Sequence, residues 1–210
     1  MFLITIATLV SAYLLGSIPF GLLMVRVTTG KDVREVGSGR IGGTNVLRAA
    51  GHWVALLSAL CDLGKGLVAV LLARAFVGTP VIEALAGLLA VVGHNYSIFI
   101  DFKGGAGTAT TIGGAIALWP WNGAILIGWG IAIVVTTRYA SMGSITIALL
   151  LPVIYALRAW SVDAPWNYLI HGLGTAALTL WALRPNIGRL RAGNERRVSL
   201  GKKKATHNNG

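Results

Sequence analysis

Long apolar runs alternate along this chain with short polar, glycine-rich stretches, and the lengths of those runs set the first expectation. A bilayer core about 30 Å thick is crossed by roughly 20 apolar residues in a helix rising about 1.5 Å per residue. By that ruler the candidate spans are residues 2–25, 53–73, 80–100, 143–160 and 166–183, together with an over-long run from Thr108 to Thr137. As one helix that run would measure about 45 Å. It contains Trp119-Pro120-Trp121-Asn122, a turn sequence with interfacial aromatics, so it divides into a short helix over 108–119 and a full one over 121–137. The fold class predicted is an all-α integral membrane protein with seven transmembrane helices.

Composition agrees, because 55% of the 210 residues are hydrophobic, only 12% are charged, and the mean hydropathy is +0.71. A soluble globular domain is excluded. The 18 Lys and Arg outweigh the 7 Asp and Glu, but the excess lies in short stretches between apolar runs, which argues against a nucleic-acid partner and for a positive-inside membrane topology. With the N-terminus outside and seven spans, fifteen of the 18 basic residues fall on one side, only Arg74 and Arg158 fall on the other, and Lys65 lies within a span. The C-terminus is then cytoplasmic, and Trp119, Trp121, Trp160 and Trp166 form an outer aromatic belt. Six spans would place the basic C-terminal segment outside. The expected organisation is one seven-helix domain over 1–185 and a basic cytoplasmic tail over 186–210. The first apolar segment has no basic region before it and reads as a retained helix rather than a signal peptide. A single cysteine, Cys61, excludes an intrachain disulfide framework and CxxC metal or redox sites.

Four polar clusters share the predicted cytoplasmic face. The stretch Gly37 to Arg48 (GSGRIGGTNVLR) combines glycines, hydroxyls, an amide and two guanidiniums, a composition suited to phosphate, although a flexible positive-inside loop has the same look. Asp101 to Thr110 (DFKGGAGTAT) runs glycines into a helix start, where free N–H groups and the dipole favour an anion; a plain tight turn is the alternative. It is not a Walker A loop. Arg138 to Ser144 and the group Asn186, Arg189, Gly193 and Glu195 are weaker signals taken singly. Asp62 and Lys65 lie one turn apart within a span, and mutual neutralisation is their expected role. His52, His94 and His171 are scattered and lack the HxxxxD, GxSxG or HExxH contexts of hydrolytic and metal chemistry. His94 reads as a packing residue, and no metal or cofactor is expected.

The segments GSIPFG at 16–21, GSGxxGxTNxxR at 37–48, DxxKG at 62–66, GHxYxxFxxFKGGxGTAT at 93–110, RYxSxxS at 138–144 and NIxRLxxGxE at 186–195 occur in order over nearly the whole chain. Together they resemble the acyl-phosphate:glycerol-3-phosphate acyltransferase family of bacterial inner membranes (PlsY type). The resemblance implies seven helices with the motifs on the cytoplasmic face. It also implies transfer of a fatty acyl group from acyl phosphate to the 1-hydroxyl of glycerol 3-phosphate, giving lysophosphatidic acid and phosphate for phospholipid synthesis. The partners implied are glycerol 3-phosphate, acyl phosphate and membrane lipids. By the same resemblance Ser38, Arg48, Lys103 and Asn186 are the catalytic candidates. Gly39, Arg40, Thr44, Asn45, Gly104, Gly105, Gly107, Thr108, Ser141 and Ser144 are the substrate-binding candidates. Both substrates are phosphates and acyl phosphate is an activated anhydride, so positioning and charge neutralisation suffice without a protein nucleophile.

Three positions depart from the family pattern. Arg40 stands where the family usually has Asn, Ala106 where it has Lys, and Leu183 where it has His. A slow acyltransferase is the expectation, with a weakened relative that binds lipid phosphates, or a small transporter of phosphorylated solutes, as the alternatives. The topology is open to direct measurement. Single cysteines at 36, 103 and 205 in a background lacking Cys61 should all label from the cytoplasmic side, and one of them labelling from the opposite face would break the seven-span arrangement.

Overall fold

The computed structural model describes residues 1–198, and among these the regular structure is helical throughout. Residues 199–210, which carry Lys202, Lys203 and Lys204 of the expected tail, lie outside the described residues. The helices are α1 (Phe2–Ser17), α2 (Phe20–Thr29), α3 (Gly43–Phe76), α4 (Pro80–Asn95), α5 (Thr108–Leu118), α6 (Trp121–Thr137), α7 (Ala140–Ser161), α8 (Tyr168–Ala182) and α9 (Arg184–Arg191). Four segments are long and apolar enough to cross a bilayer, namely Phe2–Thr29, Gly43–Phe76, Pro80–Ile100 and Ala140–Ser161, while α5 and α6 are shorter apolar helices. Large apolar side chains such as Leu57, Leu60, Ile131 and Leu149 point outward and are exposed, the opposite of a water-soluble bundle.

The predicted break at Trp119-Pro120 is present, and Asn122 Nδ2 donates to the Ala115 carbonyl at 2.8 Å across it. Three other boundaries differ from the sequence reading. The first span is not one uninterrupted helix: Pro19 cannot donate an amide and α1 stops at Ser17. Carbonyls freed in an apolar slab need donors. Ser97 Oγ donates to Ser17 O at 2.5 Å and Lys65 Nζ donates to Ile18 O at 3.0 Å, so two side chains from distant segments close the break. The second difference is that half of the glycine-rich stretch is helical. Helix α3 begins at Gly43 and continues through a kink at Gly51, where φ is +84° and only glycine is at ease. The third is that α4 ends at Asn95, and a 3-10 turn over Ile98–Ile100 completes what was read as helix to residue 100.

Interhelical contact is close because small residues meet backbone directly. A Cβ at Gly66 would overlap the Thr110 carbonyl, and one at Gly113 would overlap the Leu63 carbonyl, so α3 and α5 cross nearly backbone to backbone. Glycines at 16 and 93 do the same for the pairing of α1 with α4. This packing brings the first turns of α3, α5 and α7 to one end of the bundle.

Candidate active site

At that end lies a cavity of about 300 Å³, formed where α3, α5 and α7 begin and where α4 and α8 finish. Among the described residues, no side chain caps any of these three N-termini, whose N-cap positions are Gly42, Gly107 and Tyr139. The first amides of each helix have no intrahelical acceptor, and each helix adds its positive dipole end. Three such ends aimed at one cavity make an anion site before any side chain is considered.

The loop over 37–42 is shaped by Asn45, which is 2% exposed. Its Nδ2 donates to Val33 O, Val36 O and Arg40 O at 3.1, 2.6 and 2.9 Å, and its Oδ1 accepts from the Ser38 amide at 3.2 Å. Asn45 therefore holds the loop that presents Ser38 and Arg40. The cavity is lined by Ser38, Thr44 and Arg48 from this side. Arg40 crosses it, with Nη1 donating to Asn186 Oδ1 at 3.1 Å and Nη2 to the Ala182 carbonyl at the end of α8. Burial, and then the like charges of Arg189 and Arg184, hold the Arg40 guanidinium below its ordinary value, a penalty that an incoming anion relieves.

The second glycine cluster behaves differently from expectation. Gly107 and Thr108 line the cavity, and the buried Thr108 Oγ1 has no partner among the described residues. Gly104 and Gly105 are not cavity-lining; their amides donate to Asn95 O and His94 O at 3.0 and 3.1 Å, pinning the loop to the end of α4. A Cβ at 104 would overlap His94 O and one at 105 would overlap His94 Nε2. Glycine at these two positions is explained by this close approach. Gly39, in the left-handed region at φ +73°, serves the turn before α3 and also lies off the cavity. Lys103 is exposed and does not line the cavity, so the geometry leaves it out of the site.

The opposite wall comes from α7 and the C-terminal segment. Ser141 and Ser144 line the cavity. Glu195, with its side chain 6% exposed, accepts from Ser141 Oγ at 3.1 Å, Asn186 Nδ2 at 2.7 Å and Arg189 Nε at 2.7 Å. Residues 193–198 fold back so that the Val198 amide bonds Arg138 O at 2.8 Å. Asn186 joins Arg40 to Glu195, so residues beyond 185 take part in the cavity wall. Arg189 and Glu195, grouped with Asn186 in the sequence, line the cavity beside it, and so do Asp62, expected only to neutralise Lys65, and His94, expected only to pack.

A profile of the family "Glycerol-3-phosphate acyltransferase" matches residues 6–193. The chain belongs to this family. Its relatives include the glycerol-3-phosphate acyltransferase of Syntrophomonas wolfei, 44% identical over 193 residues that cover 92% of this chain and 96% of the relative. Glycerol-3-phosphate acyltransferase 2 of Moorella thermoacetica is 45% identical over 196 residues, covering 90% and 95%. Among solved structures, PlsY, described as an integral membrane glycerol 3-phosphate acyltransferase, matches in its glycerol 3-phosphate form with a TM-score of 0.86 and 34% identity, covering 93% of this chain and 96% of that one. Its lysophosphatidic acid form matches with a TM-score of 0.82 and 33% identity, covering 93% and 95%.

For this member of the family, the Glu195 clasp makes a pH prediction. Burial pushes its carboxyl up, but the hydrogen bonds from Asn186, Arg189 and Ser141 outweigh burial and hold it below the usual carboxylate range. A carboxylate with a depressed folded value stabilises fully above its unfolded value and loses that contribution as pH falls through the folded one. Glu195→Gln should therefore lower Tm at pH 7, and the difference from the unaltered protein should shrink as the pH is lowered below the ordinary glutamate range. A Tm difference constant from pH 7 to pH 3 would remove the clasp.

Proposed function

We infer that the chain is a membrane glycerol-3-phosphate acyltransferase, and we propose acyl phosphate as its donor. The observation that carries this reading is the convergence of three uncapped helix N-termini with Arg40 and Arg48 on one cavity, in a chain of this family. Two phosphates can share such a cavity because fixed backbone donors and guanidiniums face them from both sides. In this reading the first turn of α5, with Gly107 and Thr108, receives the donor's phosphate, while Ser38 and Arg48 contact substrate phosphate from the α3 side. Ser141, Ser144 and Asn186 then line the place of glycerol 3-phosphate.

The reaction needs no group that the site lacks. The 1-hydroxyl oxygen attacks the acyl carbonyl carbon, the bond from that carbon to the phosphate oxygen breaks, and phosphate departs with the electron pair. The hydroxyl proton passes to a phosphate oxygen, so lysophosphatidic acid and inorganic phosphate form in equal amounts. Arg40 and Arg48 oppose the charge that grows on the leaving phosphate, where a fixed cation is most effective. The acyl chain remains in lipid. We place the protein in a bacterial membrane with seven spans, its N-terminus outside and the cavity cytoplasmic, supported by the fifteen-to-two division of basic residues.

The test is direct. Purified protein in lipid nanodiscs is given glycerol 3-phosphate with acyl phosphate, acyl-CoA or acyl carrier protein, and lysophosphatidic acid and phosphate are measured. Acyl phosphate alone should support transfer, and Ala106→Lys should raise kcat by about tenfold, by adding a cation at the cavity wall. Transfer from acyl-CoA but not acyl phosphate would overturn the donor, and no transfer from any donor, by either protein, would overturn the enzyme.

A further inference from the structure

The break between α1 and α2 opens a groove of about 480 Å³ that shares no lining residue with the cavity. It runs between α2 and the 3-10 turn over Ile98–Ile100. Pro19, Leu22 and Ile100 form a buried apolar floor, and Leu23 and Phe99 stand at its exposed edges. The backbone beneath is already satisfied: Ile18 O accepts from Lys65 Nζ at 3.0 Å, and the Phe99 and Ile100 amides donate to Ser97 Oγ and Ser97 O, each at 3.3 Å. Apolar side chains over spent backbone groups suit hydrocarbon rather than water.

The charged lining of the groove is Arg26, Arg34 and Asp101. Arg26 carries the first charged side chain in the sequence and ends the apolar run of the first span, so it marks the headgroup level of the bilayer. Its side chain is 63% exposed and reaches Asp32 only at 4.0 Å. Arg34 is tied to Asp32 through Nε at 3.1 Å and Nη2 at 2.7 Å, which leaves Nη1 for a ligand. Asp101 has no ion pair among the described residues. The groove thus offers uncommitted cationic donors and an uncommitted carboxylate beside an apolar floor.

We propose that this groove binds one phospholipid whose headgroup carries a primary ammonium, of the phosphatidylethanolamine type. Charge complementarity selects the occupant. The phosphodiester accepts from Arg26 and Arg34, the ammonium donates to Asp101, and an acyl chain lies along Leu22, Leu23 and Phe99. A purely anionic headgroup leaves Asp101 facing like charge, and a quaternary ammonium has no N–H to give it. Asn45 holds the carbonyls of Val33 and Val36, on either side of Arg34, together with the Ser38 amide, so the lipid rests on the loop that presents Ser38 to the cavity.

Native mass spectrometry of the full chain in detergent tests this, with phosphatidylethanolamine, phosphatidylcholine and phosphatidylglycerol of identical acyl chains titrated separately. One phosphatidylethanolamine should bind per chain with a Kd about fivefold or more below that of either other lipid. Arg26→Gln should weaken all three lipids, and Leu23→Trp, which fills the groove, should remove the bound lipid. Asp101→Asn keeps the left-handed backbone at φ +52° and should bring the three affinities within about twofold of one another. If that variant does not fold, Asp101→Gly, equally at ease there, carries the same comparison. Equal affinity of the unaltered chain for the three lipids, or a preference that survives the loss of the Asp101 carboxylate, would overturn the headgroup assignment. Binding unchanged by both Arg26→Gln and Leu23→Trp would place the lipid elsewhere and overturn the site.

Discussion

Backbone amides in a low-dielectric slab must find acceptors, and this structure leaves three sets of them pointing at one place. Helices α3, α5 and α7 all begin at the cavity, and among the described residues none of the three has a side-chain cap. An uncapped helix start is costly where water is scarce, and an anion removes that cost. The rest of the architecture serves this arrangement: glycines let α3 cross α5 at backbone distance.

Arginine supplies what the helix ends lack, a full charge in a fixed orientation. Arg40 is tied to both Asn186 and the end of α8, so it stands across the cavity rather than folding into solvent. Asn186 passes the connection on to Glu195, which gathers Ser141 and Arg189 as well. One chain of hydrogen bonds thus joins the loop before α3 to α9 and the start of α7. A single acid among many cations keeps these groups from repelling one another apart when no substrate phosphate is present.

Much of this was legible in the sequence, and the reasons for what was not are specific. Run length and the Trp119-Pro120 turn gave the helices, and the phosphate-like composition of 37–48 and 104–110 pointed to the correct end of the bundle. Ser38, Arg40, Arg48, Gly107, Thr108, Ser141, Ser144 and Asn186 do meet there. Lys103 does not, because the turn that brings Gly104 and Gly105 onto the end of α4 leaves Lys103 exposed. Adjacent residues in a tight loop face different ways, and motif membership carries no direction. The helix break at Ser17 to Pro19 escaped because hydropathy is blind to a proline whose neighbouring carbonyls are satisfied from 47 and 80 residues away. His94 read as a packing residue, and it does pack, yet against the loop that builds the site.

The central claim is that backbone amides at three helix starts bind phosphate together. Selective 15N labelling of glycine, serine and threonine in the nanodisc-embedded protein lets the amides of Gly43, Thr108 and Ser141 be followed during titration with glycerol 3-phosphate and with an unreactive acyl phosphonate. The account predicts saturable downfield shifts of all three amide protons when both ligands are bound, and none with glycerol alone. Amide positions unchanged at concentrations that saturate the enzyme would contradict it.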